Sequence, residues 1–329
     1  MRHIIERVNA EMNGQDTDLS TPFLDQDAGF ILDRRHFLEA LAACSAGLLC
    51  GVPSFAEAAK SSSPLQRQVI DLVSRMRRQG LIKPDEKTSW SVYDFSARKK
   101  LVAINEDIPR QAASMIKPFV AQAYFYQVEK SKGRIRYDSN VRYTMERMIR
   151  RSSNKATNQM IDLVSRNQSN GGARDVERVL KKNAPGIFVQ TRIVEKIPSD
   201  GRTYRNLASA HDYSRFLFAL WNERTPYARE LRALMGLSNH DRIARGVANM
   251  PRSVKVYDKT GSTARLCGDM GIIEAQDRRG RSYPYTFVGI IEKPGRAKSY
   301  GNWITARSNA MRAVSNLVYL EMKDQYRLA

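Results

Sequence analysis

The chain has 329 residues, 42% of them hydrophobic, with 54 Lys/Arg against 34 Asp/Glu and a net charge of +20. That apolar content can fill one large core or two modest ones, and no apolar stretch reaches the roughly 20 residues of a membrane helix, which excludes a permanent transmembrane span. His is scarce, no paired His/Cys spacing suggests a metal site, and no cofactor is expected.

The first segment reads as a targeting leader. Asp33-Arg34-Arg35-His36-Phe37-Leu38 places paired arginines before a small-residue apolar run, Ala40 to Val52. Pro53 and Ala56-Glu57-Ala58 then supply a turn and a small-residue cleavage site. This order resembles a twin-arginine export signal over residues 1–58 and predicts a periplasmic or otherwise exported protein. Leu41-Ala42-Ala43-Cys44 also fits a lipoprotein cleavage pattern, an alternative that would add a lipid anchor. Residues 1–58 carry four basic and nine acidic side chains, which leaves 50 basic and 25 acidic ones beyond them. Such an excess suits anionic cell-envelope polymers as electrostatic partners. No zinc-finger spacing, RNA-binding aromatic signature or lysine-rich tail accompanies it, so nucleic acid is not expected as a partner. With Cys44 and Cys50 in the leader, Cys267 stands alone and no internal disulfide is expected.

Ser61 to Pro64 is a linker ending in a helix cap, and Leu65, Val69, Leu72, Val73 and Met76 share a helical face up to Gly80. Trp90 to Phe95 and Lys100 to Ile104 read as a hairpin. Ala112 to Lys130 reads as a helix apolar around much of its circumference, and so buried. Helices are predicted near 141–151, 155–166, 173–183, 208–222 and 226–236. Strands follow at Val254–Tyr257, Gly271–Glu274 and Tyr285–Glu292, then an amphipathic helix from Asn302 to Tyr326. Strands at both ends of a helical middle predict an α+β fold: an antiparallel sheet flanked by the terminal helices, with an all-α domain inserted. The expected parts are a sheet domain from 59–110 and 251–329 and a helical domain from 111–250.

Three short motifs stand in order. Ser114-Met115-Ile116-Lys117 opens the buried helix, Ser152-Ser153-Asn154 lies between two helices, and Lys259-Thr260-Gly261 closes a strand. A serine hydroxyl attacks poorly unless a neighbour takes its proton. Residues three apart on a helix share a face, which sets the Lys117 amine beside the Ser114 hydroxyl. That amine acts as a base only when neutral, which burial or a nearby cation such as Lys259 would favour. The backbone N–H groups of Ser114 and Ser262 are the natural donors to a developing oxyanion, and Gly261 would let a substrate lie close against the strand.

With this trio the sequence resembles the serine β-lactamase and D,D-peptidase superfamily, most of all class A, over roughly residues 60–329. The resemblance implies the β-lactamase/D,D-peptidase-like fold and catalytic roles for Ser114, Lys117, Ser152 and Lys259. It implies that Ser152 relays a proton to the leaving nitrogen and that Asn154 holds the substrate's amide side chain. Lys259 and Thr260 would bind the carboxylate common to penicillins and D-alanyl peptides. The run Ser152 to Asn158 matches a class A pattern, S-x-N-x-x-x-N, with Ser153 in place of the usual aspartate.

Departures from the family bear on turnover. Ile197-Pro198-Ser199-Asp200-Gly201-Arg202 matches a class A stretch, but counting back puts Gln190 where the deacylating glutamate would stand. Glu195 is the nearby carboxylate, five residues out of register, and could serve only if the loop shifts. Met270 falls where a carboxylate-binding arginine is usual, and Arg265 is the candidate substitute. The expected function is an exported serine hydrolase acylated at Ser114 by β-lactams, hydrolysing them slowly. A D,D-carboxypeptidase or transpeptidase-like enzyme on peptidoglycan stem peptides is one alternative. A non-catalytic cell-wall-binding module is the other.

Overall fold

A computed structural model describes residues 63–198, 205–237 and 240–329. The leader expected over 1–58 lies outside these residues, as does most of the Ile197 to Arg202 stretch.

Helix α1 (Pro64–Arg78) starts where the linker was expected to end: the Ser63 hydroxyl accepts from the Gln66 N–H at 3.0 Å, and Pro64 takes the first turn. Strands β1 (Lys87–Asp94) and β2 (Lys99–Ile104) form the expected hairpin. The chain then leaves the sheet for β3 (Arg110–Gln111), a 3-10 turn (Ala113–Ile116) and helices α2 (Lys117–Lys130), α3 (Ser139–Ile149), α4 (Asn154–Arg166) and α5 (Ala173–Asn183). Strand β4 (Leu207–Ala208) pairs with β3, and α6 (Ala210–Trp221) and α7 (Ala228–Met235) complete the helical part. Strands β5 (Lys255–Thr263), β6 (Leu266–Gln276) and β7 (Ser282–Glu292) return to the sheet, and α8 (Tyr300–Tyr326) closes the chain.

The main sheet is antiparallel, in the order β2-β1-β7-β6-β5. Successive side chains of its inner strands feed two different cores. Leu266, Met270 and Ile272 of β6 and Val288 and Ile290 of β7 pack with the helices of the middle segment. Cys267, Ile273 and Ala275, with Tyr285, Phe287 and Ile291, pack with α1 and α8. The period-two alternation therefore covers both faces of the sheet, which is why β7 reads in sequence as a nearly unbroken apolar run. The fold is α+β, as expected. Helix α2 is the spine of the helical part, with every residue from Lys117 to Val128 buried.

Several boundaries differ from the sequence reading. The helix expected from Ala112 begins with the 3-10 turn, so Ser114 precedes the α-helix and Lys117 is its first residue. The short strand expected at Val254–Tyr257 runs on to Thr263, which puts Lys259-Thr260-Gly261 inside a strand rather than at its end. Strand β6 begins five residues before the expected Gly271, because Gly268 and Gly271 hide its alternation from a reading of side chains.

A buried ion pair fastens α8 across the outer core. Glu86 accepts from Arg307 Nη2 at 2.8 Å and from the Trp303 indole at 2.7 Å. Burial pushes the Glu86 carboxyl upward, but the bonds from Arg307 and Trp303 outweigh it and hold the group below the ordinary 4.5. A depressed carboxylate contributes stability that is fully present above its unfolded value and lost as pH falls through the folded one. Replacing Glu86 by Ala should cost about 3–5 kcal/mol by stranding the guanidinium. It should also flatten the loss of stability below about pH 4.5. Urea melts of both proteins across that pH range check this, and an unchanged midpoint would contradict it.

Candidate active site

The three motifs come from separate elements. Ser114 lies in the 3-10 turn, and Ala113 before it has φ 45°, the left-handed region that a non-glycine residue enters only under constraint. Ser152 sits in the loop between α3 and α4 with φ 55°, likewise left-handed. Ser153 caps α4, its hydroxyl accepting from the Ala156 N–H at 3.2 Å. Serine and aspartate are both good N-caps, which explains how Ser can stand where the family has Asp.

Lys117 joins the first two motifs. Its side chain is fully buried, and its amine donates to the Ser152 hydroxyl at 3.0 Å, to the Asn154 Oδ1 at 3.1 Å and to the Ser152 carbonyl. Ser114, three residues earlier, is 8% exposed at the opening of the same turn. The structure therefore gathers Ser152 and Asn154 around the Lys117 amine, with Ser114 three residues before it in the chain.

The third motif arrives by close packing. A Cβ on Gly261 would lie 2.9 Å from the Met115 Cγ, 3.2 Å from the Met115 nitrogen and 3.3 Å from the Ala113 Cβ. Strand β5 thus rests directly on the turn that carries Ser114. Glycine is required there by the protein's own turn, whereas the sequence reading assigned the space to a substrate. Lys259 is 2% exposed and donates to the Thr260 carbonyl at 3.1 Å; Thr260 is half-buried beside it.

Arg242 went unnoticed in the sequence. It lies in a stretch without helix or strand, so no periodicity marks it. Its guanidinium is buried under β5, donating to the Ser262 hydroxyl at 2.6 Å, the Gly268 carbonyl at 2.7 Å, the Gly261 carbonyl at 3.2 Å and Ser308 at 2.9 Å. Its own N–H binds the Asp269 carboxylate at 2.7 Å. Full burial pushes Asp269 up, Asp241 adds to the rise, and Arg242 opposes it. Arg265, the expected substitute arginine, lies in the β5–β6 turn, its N–H on the Thr263 hydroxyl at 3.1 Å. The guanidinium that touches Ser262 is that of Arg242.

The loop between α5 and β4 carries the residues considered for turnover. Gln190 is tied to α6, its N–H on the Asp212 carboxylate at 2.9 Å and its Oε1 accepting from the Ser209 hydroxyl at 3.4 Å. Glu195 turns its carboxylate to Arg205, accepting from that residue's N–H at 3.0 Å, while Asn206 bonds its backbone. Asn158, one turn beyond Asn154 on α4, bonds both sides of Ile197: it donates to the carbonyl at 2.7 Å and accepts from the N–H at 2.8 Å. The loop residue fixed beside the second motif is therefore apolar and only 4% exposed.

Glu106, Asp107 and His211 bring possible metal ligands within 4.8 Å of one another. Lys100 already binds Glu106 at 2.7 Å and Arg215 lies 3.0 Å from the His211 Nδ1, so cations occupy that position. No helix among the described residues is long and apolar enough to cross a membrane.

A two-faced antiparallel sheet, with a serine and a buried lysine at the head of its central helix, defines a class of serine hydrolases. The description "Beta-lactamase enzyme family" matches residues 133–319. The chain belongs to that family and is a serine hydrolase of β-lactamase type. Among solved structures it is similar to a mutant of PBP-A captured as its acyl-enzyme with penicillin G, at 19% identity and a TM-score of 0.61, covering 79% of this chain and 96% of that one. A β-lactamase from Xanthomonas campestris pv. campestris matches at 18% identity and a TM-score of 0.60, over 77% and 97% of the two chains. An ancestral class A β-lactamase matches at 19% and 0.59, over 78% and 99%. No curated protein matches the chain in sequence.

Replacing Gly261 by Ala should push the Ser114 turn away from β5. We expect a loss of about 1–3 kcal/mol in stability and at least a tenfold slower reaction of Ser114 with a fluorescent penicillin. Wild-type labelling by a stable Gly261→Ala protein would contradict the packing argument.

Proposed function

We propose that the protein is an envelope acyl-transfer enzyme in which Ser114 attacks the β-lactam amide and forms an acyl-enzyme that is released slowly. The observation that carries this reading is the Lys117 amine, fully buried and bonded to the Ser152 hydroxyl at 3.0 Å on the turn that presents Ser114. Lys117 takes the Ser114 proton as the C–O bond forms. Ser152, bonded to the same amine, passes a proton to the departing ring nitrogen as the C–N bond breaks. The N–H groups of Ser114 and Ser262 receive the carbonyl oxygen while it carries charge. Asn154 orients the acylamide side chain, and Lys259 and Thr260, backed by Arg242, receive the substrate carboxylate. Export by the paired arginines at 34 and 35 places this chemistry outside the cytoplasm, where the basic surface holds it near anionic envelope polymers.

Ile197 favours a second reading, acyl transfer from D-alanyl peptides of the cell wall. Hydrolysis of an acyl-enzyme needs a base to activate water. The loop offers apolar Ile197 beside α4, holds Gln190 against Ser209 and turns Glu195 to Arg205. PBP-A, whose mutant was captured as a penicillin acyl-enzyme, is the matching comparison.

Incubation with a fluorescent penicillin should label the wild type and leave Ser114→Ala unlabelled; equal labelling would overturn the proposal. Once labelled, the protein should lose its acyl group at the same rate, within about twofold, when Glu195 is Gln. A tenfold slower release in that variant would make Glu195 the base and rule out the second reading.

A further inference from the structure

The first turn of α8 brings a phenol to the part of β5 proposed to receive the substrate carboxylate. Within the main sheet β5 pairs with β6 alone, so its other edge is open to a substrate lying along it. Residues two apart on a strand share a face. Gly261 looks toward the helical part, where it meets Met115, and Thr260 and Ser262 therefore share the opposite face, toward α8. On that face Arg242 Nη2 donates to the Ser262 hydroxyl at 2.6 Å. Tyr300, the first residue of α8, hydrogen-bonds the same hydroxyl through its phenol.

The protons of this group can be counted. A guanidinium only donates, so Ser262 accepts from Arg242 and keeps its own proton. The bond between Ser262 and Tyr300 uses one of the two hydroxyl protons, and the other is left to give to a ligand. Burial pushes the Tyr300 phenol above its ordinary 10.0, with the bond to Ser262 and the charge of Arg242 opposing the rise. The phenol therefore stays protonated at neutral pH. Ser262 and Tyr300 are both half-buried rather than sealed into the core.

A proton left to give, beside the charge of Arg242, suits an anionic acceptor. An ammonium group would be repelled there, and an apolar group would leave the hydroxyl unmatched. A carboxylate accepts from several donors at once, and its charge strengthens each bond. We propose that Tyr300 is a specificity-determining residue, its hydroxyl donating with those of Thr260 and Ser262 to the carboxylate of the substrate. The proposal rests on the reading that β5 binds β-lactams or D-alanyl peptides, and adds that α8 helps to select those with a free carboxylate. An ester cannot offer the same charged acceptor, and a site built to hydrogen-bond a group discriminates against the analogue that lacks it.

The test separates binding from acylation. Ser114→Ala lacks the nucleophile, so calorimetric titration with penicillin G and with its methyl ester reads binding alone. Tyr300→Phe keeps the ring and removes only the hydroxyl. Ser114→Ala/Tyr300→Phe should bind penicillin G at least about tenfold more weakly than Ser114→Ala, and the methyl ester equally, within about twofold. With Ser114 intact, Tyr300→Phe should slow acylation by penicillin G at least about tenfold and leave the ester's rate within about twofold. The proposal is overturned if Ser114→Ala does not bind penicillin G saturably, or if the double variant binds it as tightly. Equal losses for acid and ester also overturn it, because the hydroxyl would then only support the strand. An unlabelled wild type would overturn the acyl-transfer reading instead, and the titrations on Ser114→Ala would still decide the role of Tyr300.

Discussion

An amine inside a protein is costly to hold unless oxygen atoms surround it, and Lys117 is held by three: the hydroxyl and carbonyl of Ser152 and the side chain of Asn154. Much of the local architecture follows from that requirement. Ser152 reaches the amine from a left-handed backbone conformation, and the cap at Ser153 starts α4 so that Asn154 falls in its first turn. Helix α2 is buried from Lys117 to Val128, which holds the lysine at its head away from solvent. The serine of the same turn is held in place from the other side, where Gly261 leaves no space between β5 and Met115.

Beneath β5 lies a second buried charge system. Arg242 binds the Gly261 and Gly268 carbonyls and the Ser262 hydroxyl, linking β5, β6 and α8 through Ser308. A guanidinium with its donors spread over four partners acts as a rigid strut. It fixes the strand whose Ser262 N–H is proposed to face the oxyanion. The side of the site proposed to receive the substrate carboxylate thus has support from below, supplied by a residue outside any helix or strand.

The sequence displayed the motifs more clearly than their geometry. The motifs that carry Ser114, Lys117, Ser152, Asn154, Lys259 and Gly261 could be picked out because each is local and a few adjacent residues identify it; the roles of these residues belong to the proposal. The α+β order was legible because β1, β2 and β7 carry long apolar patterns and α1 a clear amphipathic one. Arg242 was not, because a residue made important by strands more than a dozen positions away leaves no periodic trace. The full lengths of β5 and β6 were hidden by glycines, which carry no side chain to alternate. In the loop before β4, counting from Ile197-Pro198 pointed to Gln190, yet the Asn158 side chain selects Ile197 itself. Hydrogen bonds to backbone atoms do not depend on the side chain they position, so the sequence could not reveal that pairing.

Acylation as proposed depends on the coupling of Ser114 to the buried Lys117 amine. Intact-mass analysis after brief exposure to penicillin, followed by peptide mapping, tests it directly in the wild type and in Lys117→Met. The wild type should gain one penicilloyl group on the peptide carrying Ser114. Lys117→Met, still folded, should acylate at least about 100-fold more slowly. An adduct on another residue, or Lys117→Met acylated at the wild-type rate, would contradict it.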